Sequence, residues 1–132
     1  MSQENVEAVR AVYERWSQGD FRSSLDVLDP HASFVVRPEF PDAGTYRGLA
    51  RIEEYTRGFL EPWTRITIEA EEIADAGDSV VVALRQCGVG RGSGIVTEFR
   101  YFHVWSFRGR KAIRLENIRE RAQAFEAVGL RE

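Results

Sequence analysis

The chain has 132 residues, 43% of them hydrophobic and 30% charged, the composition of one folded domain over 1–132 rather than of a disordered or fibrous polymer. Its 18 Lys and Arg against 21 Asp and Glu leave a formal net charge of −3. The signs are interspersed, so neither nucleic acid nor an anionic membrane surface is an expected partner.

Cys87 is the only cysteine, which excludes an internal disulfide and a zinc cage of cysteines. The N-terminus, Met-Ser-Gln-Glu-Asn, has no signal-like apolar run, and no stretch approaches the ~20 apolar residues of a membrane span. A cytoplasmic protein is expected.

Val9, Val12, Tyr13 and Trp16 recur at helical spacing and predict a first helix from Ser2 to Gln18, capped by Gly19. Phe21, Leu25 and Leu28 predict a short second helix that stops at Asp29-Pro30. Ala32 to Arg37 reads as a strand cut off by Pro38, and Pro38 to Gly44 as a turn. Gly48 then opens a third helix with Ile52, Tyr55, Thr56 and Phe59 on one face and Pro62 past its end.

From Ile66 the period becomes two. Strands are predicted from Ile66 to Ala74, Ser79 to Val89, Val96 to Phe107 and Lys111 to Arg119, with glycine-containing links short enough to force antiparallel neighbours. Ala122, Phe125 and Val128 close the chain as a last short helix. The expected fold is α+β, a cone-shaped, curved antiparallel or mixed sheet covered by three N-terminal helices, with a pocket at the wide end of the cone.

Three strings resemble the SnoaL-like polyketide cyclase family of the nuclear transport factor 2-like superfamily. They are Pro41-Asp-Ala-Gly-Thr-Tyr-Arg-Gly48, His103-Val-Trp-Ser-Phe107 and Arg121-Ala-Gln-Ala-Phe-Glu-Ala-Val-Gly-Leu130. The resemblance covers essentially the whole chain and implies that fold. Relatives of the fold include ketosteroid isomerases, polyketide cyclases, epoxide hydrolases, a dehydratase and members that only bind or dimerise, so the chemistry has to be read from individual residues.

Where ketosteroid isomerases carry a general-base aspartate before a proline, this chain has Arg37, which accepts no proton at neutral pH. Glu39 beyond the proline reads as a solvated loop residue. On the last strand, alternation puts Ile113, Leu115 and Asn117 on one side and Arg114, Glu116 and Ile118 on the other. Asn117 is therefore expected in the cone and Glu116 outside it. No predicted strand carries an aspartate, so the aspartate pair of epoxide hydrolases is missing.

His103 is the stronger candidate acid or base, because imidazole serves either role near neutral pH. It shares a side with Phe99, Tyr101, Trp105 and Phe107; that face lines the pocket or meets a second subunit, and the pocket is the favoured reading. Arg85 is in phase with Val81, Ala83 and Cys87, and is expected to meet a carboxylate or, failing that, an anionic ligand. Tyr13, Trp16 and Trp63 are expected to shape the cavity. Gly88-Val-Gly-Arg-Gly-Ser-Gly94 lies between strands and matches no phosphate-loop pattern, and His31 and His103 do not make a metal site.

Two readings follow. In one the protein is a cofactor-independent isomerase, cyclase or dehydratase acting on a hydrophobic molecule by proton transfer, with His103 as acid or base and Arg85 or Asn117 stabilising negative charge. In the other it is a non-catalytic ligand-binding or dimerisation module of the same fold. A homodimer through an apolar outer sheet face is expected in either case.

Overall fold

Residues 2–130 are described by the structure, a computed structural model. Helix α1 (Ser2–Trp16) buries Val9, Val12, Tyr13 and Trp16 on one face. It ends where the Gly19 N–H reaches the Trp16 carbonyl, with Gly19 at φ 84. The expected second helix is only a 3-10 turn (Ser23–Val27), and β1 (Leu28–Val36) begins at Leu28, ahead of Pro30.

Proline is tolerated in β1 because pairing with the neighbouring strand is interrupted between Leu28 and Ser33, so the missing N–H breaks no ladder bond. A short edge strand, β2 (Gly44–Arg47), pairs antiparallel with β1. The sequence pattern had put a turn up to Gly44 and nothing after it, since four residues are too few to display alternation. Helix α2 (Leu49–Leu60) follows Gly48. The cover of the sheet is therefore the expected three helical segments, the second of them a short 3-10 helix.

Strands β3 (Trp63–Ala76), β4 (Ser79–Gly90), β5 (Val96–Arg108) and β6 (Lys111–Ile118) form the expected antiparallel meander. The sheet is mixed, with strand order β2-β1-β6-β5-β4-β3 and β1 parallel to β6. Its ladder is interrupted near Glu71 in β3 and near Ile113 in β6, the kind of irregularity that lets a sheet curl.

On the concave face Val80, Val82, Leu84, Tyr101, Trp105 and Leu115 bury against α1, α2 and the 3-10 turn. Each such large apolar side chain stabilises the fold by about 1.5–3 kcal/mol. On the convex face Val81, Val104 and Ile118 are covered by Ala124 and Phe125 of α3 (Arg121–Glu126). The outer face expected to be apolar and wet is thus capped by the chain's own last helix at one end. Beyond the cap it is charged, carrying Arg85 and Glu69 together with Glu98 and Arg100. Among the described residues no helix is long and apolar enough to cross a membrane.

Candidate functional site

Strand alternation sends Tyr101, His103, Trp105 and Phe107 of β5 to the concave side, where all four are buried. His103 lies opposite Asn117 of β6 and Val82 of β4, and is 3% exposed. It is a pocket residue, and the alternative placement in a subunit interface does not hold.

One turn from the end of α1, Tyr13 reaches down onto this ring. Its hydroxyl is 2.5 Å from His103 Nδ1, and Trp105 Nε1 donates to the same hydroxyl at 2.9 Å. An indole N–H only donates, so the Tyr13 oxygen accepts from Trp105; toward Nδ1 it gives its own proton or accepts the ring's, according to the imidazole tautomer.

Burial lowers the His103 pKa from 6.5 to about 3, partly opposed by the neighbouring Asn117 carboxamide. Burial likewise pushes the Tyr13 hydroxyl far above its ordinary value, while its bond with Trp105 works the other way. At neutral pH the Trp105–Tyr13–His103 chain is uncharged throughout. Its far end meets the Asn117 carboxamide, whose side-chain hydrogen bond favours the protonated imidazole.

His103 belongs to an inner chamber of about 70 Å³ whose walls include Trp16, Phe34, Tyr55, Phe59 and Tyr101, with Asn117 beside it. A larger void of about 370 Å³ adjoins it and shares Tyr55, Phe59, Tyr101 and Asn117 with it. Phe40, Trp63, Gln86 and Phe99 line this outer vestibule. Tyr101 crosses between the two and donates to Gln86 Oε1 at 2.7 Å. The Tyr55 hydroxyl is raised to about 12, chiefly by burial and then by Tyr46 and Asp42.

No Lys, Arg, Asp or Glu lines the inner chamber, and Asp42 is the one charged residue of the vestibule, among the described residues. Trp16 Nε1 is buried without a hydrogen-bond partner, and the buried Asn117 side chain meets His103. Among the described residues, no group of three or more His, Cys, Asp or Glu side chains is placed to hold a metal ion.

The expected residues thus separate into those that meet and those that do not. His103, Asn117 and Trp16 share the chamber, Tyr13 stands behind His103, and Trp63 lies at the vestibule. Trp63 is also the first residue of β3 rather than part of the link, and its indole lies flat on Gly88: a Cβ there would sit 2.6 Å from the ring.

Arg85 projects from the other face of β4. It donates to Glu98 at 2.6 Å and to Glu69 at 2.9 Å. The ion pair expected for it is present, and its place in the pocket as a charge stabiliser is corrected: it is one residue out of phase with Leu84 and Gln86. Glu116 is likewise outside, bonded by Arg37 at 2.8 Å and Arg114 at 3.2 Å. Glu39 is exposed.

Sequence reasoning did not single out Tyr55, Phe59, Phe40 or Gln86 as pocket residues. The α2 periodicity carried a signal for the first two, which share its apolar face. Phe40 sits in a turn, and Gln86 is a polar residue on a strand's inner side, where a pattern of apolar residues says nothing.

Residues 9–115 match the family model described as a SnoaL-like domain, and the chain belongs to that family. Solved structures of the same fold include TerC co-crystallised with polyporic acid, at 24% identity and TM-score 0.76, covering 95% of this chain and 98% of that one. An NTF2-like protein from Burkholderia thailandensis is 28% identical, with TM-score 0.76 and coverage of 86% and 88%. A protein from Catenulispora acidiphila with a ketosteroid isomerase-like fold, solved in complex with trimethylamine, is 14% identical at TM-score 0.74, with coverage of 94% and 93%. No curated protein matches the chain.

Proposed function

We propose that the protein binds an uncharged hydrophobic small molecule and polarises one of its carbonyl oxygens, favouring the enol form as a cofactor-independent isomerase, cyclase or dehydratase would. The observation that carries this reading is the buried His103, kept uncharged by its burial and hydrogen-bonded to Tyr13 at 2.5 Å, in the wall of an apolar chamber. A neutral imidazole N–H in an apolar chamber is a strong, pre-oriented donor to a developing oxyanion, and it needs no reorganisation when charge appears. His103 then acts as an electrophile rather than as the acid or base expected from its unperturbed pKa. Burial keeps the imidazole uncharged at neutral pH, so it has no imidazolium proton to give.

An anionic ligand is disfavoured because no cation lines the chamber and an unpaired buried charge is costly. Two structural neighbours were solved with small organic molecules, polyporic acid and trimethylamine, which supports a small-molecule role for the fold. The test is proton exchange. A panel of aryl methyl ketones in deuterated buffer is followed by NMR for loss of the α-hydrogen signal, with wild type and His103→Phe side by side. Exchange catalysed by wild type and lost in the variant is the expected result.

The second reading, binding without turnover, is favoured by one observation: no carboxylate lines the chamber, so the proton acceptor would have to be water or a basic group of the ligand. Saturable binding with no exchange would establish it. Under either reading we keep a homodimer, resting on the exposed Ile95, Val96 and Phe99 strip at the start of β5. A 15.1 kDa particle in light scattering at micromolar concentration would remove the dimer.

A further inference from the structure

The outer vestibule of about 370 Å³ is walled by aromatic rings from four parts of the chain: the turn after β1, α2, β3 and β5. Phe40, Phe99 and Tyr101 form a triangle with ring centroids 5.2 to 6.2 Å apart. Tyr55 and Phe59 add two nearly parallel rings, and Trp63 a sixth. Tyr55, Phe59, Trp63 and Phe99 all keep part of their surface in solvent, so these rings reach the open space.

Asp42 is the vestibule's one charged residue, and among the described residues its carboxylate enters no ion pair. The turn that carries it is held in place. Asp42 takes φ 58, which aspartate tolerates, and its backbone carbonyl accepts from the Tyr46 hydroxyl at 2.5 Å. Its charge is felt at the wall, where it joins burial and Tyr46 in raising the Tyr55 hydroxyl. The chain also brings a cation of its own to this surface: the exposed Arg119 guanidinium lies 5.8 Å from the Phe99 centroid, within the range of a cation–π contact.

We propose that the vestibule binds a methylated ammonium group, with the Phe40, Phe99, Tyr101 and Trp63 rings around the cation and Asp42 balancing its charge. Aromatic faces are negative and attract a cation, and a lone carboxylate adds to that attraction while repelling anions. A metal ion or a primary ammonium gives up hydration that rings do not replace. A methylated ammonium is weakly hydrated, and quaternary ammonium groups are recognised by aromatic cages of this kind. The site lies outside the inner chamber and goes beyond the carbonyl-binding reading, which concerns a neutral group at His103.

The experiment is a ligand-observed NMR titration of the wild-type protein with three molecules of one shape. They are choline, 3,3-dimethylbutan-1-ol, in which carbon replaces the quaternary nitrogen, and 3,3-dimethylbutanoate. The expected result is that choline binds about tenfold more tightly than the alcohol and that the carboxylate does not bind measurably. Asp42→Asn, at an exposed position whose left-handed backbone asparagine also adopts, weakens choline about fivefold and leaves the alcohol unchanged. Phe99→Leu weakens choline about threefold, and Arg119→Gln, which removes the resident cation, tightens it about twofold. Equal affinity for choline and the alcohol, tighter binding of the carboxylate, or no saturable binding of choline overturns the inference. Each of these leaves the chamber reading, followed by proton exchange, untouched. A preference for choline unchanged in both Asp42→Asn and Phe99→Leu, with native circular dichroism, or weakened choline binding in Arg119→Gln, overturns the assignment to these residues. The comparison on wild type stands even if a variant fails to fold.

Discussion

The two faces of one sheet handle polar groups in opposite ways. On the concave face burial dominates: His103 falls to about 3 and Tyr13 rises, so the groups stay neutral and are satisfied by one another. On the convex face hydrogen bonds dominate: Arg85 is raised first by its bonds to Glu69 and Glu98, and Glu98 is lowered first by its bond to Arg85. Residues three apart on β5, Arg100 and His103, live by different rules because alternate residues of a strand see different dielectrics. The groups that line this protein's inner chamber are neutral, and the abundant charge on the outside says little about them.

The sharpest way to break that contrast is Tyr13→Phe, which leaves His103 Nδ1 and Trp105 Nε1 buried without partners. We expect a loss of about 3 kcal/mol in urea-unfolding stability, since each orphaned group costs about 1–3 kcal/mol. A loss below about 1 kcal/mol would mean that the chain of neutral donors contributes nothing.

Acid tests the same face. His103 binds its proton in the unfolded chain near pH 6.5 but in the folded one only near pH 3. Its contribution is therefore complete above pH 6.5 and declines as pH falls towards 3. Relative to His103→Phe, wild type should lose about 2 kcal/mol by roughly pH 5. Parallel pH profiles of the two proteins would contradict the neutral imidazole.

At the vestibule, Gly88→Ala drives a methyl into the Trp63 ring. We expect a cost of about 1 kcal/mol, at the low end for overpacking because the ring lies at a partly open edge. A shift in tryptophan fluorescence on addition of an aryl methyl ketone, altered by this variant, would place Trp63 on the ligand's path.

The smallest effect belongs outside. Arg85→Ala removes the bonds to Glu69 and Glu98, but solvent and salt screen them. The melting temperature should stay close to wild type, and the residual difference should shrink further in high salt. A large loss at all salt concentrations would show that the outer lattice carries stability after all.

The meander, the first and last helices and α2 were legible in the sequence because each displays a clear period, three to four for helices and two for strands. Leu28 to Pro30 was misread: two leucines at helical spacing and a proline mimic a helix end, and only the strand lying beside them reveals a bulged β1. β2 was too short to show a pattern. For the site, strand alternation placed Asn117 inside and Glu116 outside, and put His103 on the aromatic side of β5. What it could not supply is the partner of His103. Tyr13 comes from a different element, and the orientation that brings a phenol onto an imidazole is a product of packing. Arg85 shows the same limit from the other side, since its phase was readable and its two carboxylates were not.

The parallel pairing of β1 with β6 bears on how the molecule comes into being. β1 has no meander partner to wait beside, because its neighbours in the sheet are the short β2 and the last strand made. The bond between Tyr13 and His103 spans ninety residues of sequence. During synthesis α1 can lay its apolar face on β3 and β4 as these strands emerge, but the chamber also needs His103 of β5 and Asn117 of β6, so local contacts alone cannot assemble it. The pocket is complete only once β6 is in place, so a chain shortened within β6 would be left with a pairing surface on β5 and β1 and an unfinished chamber.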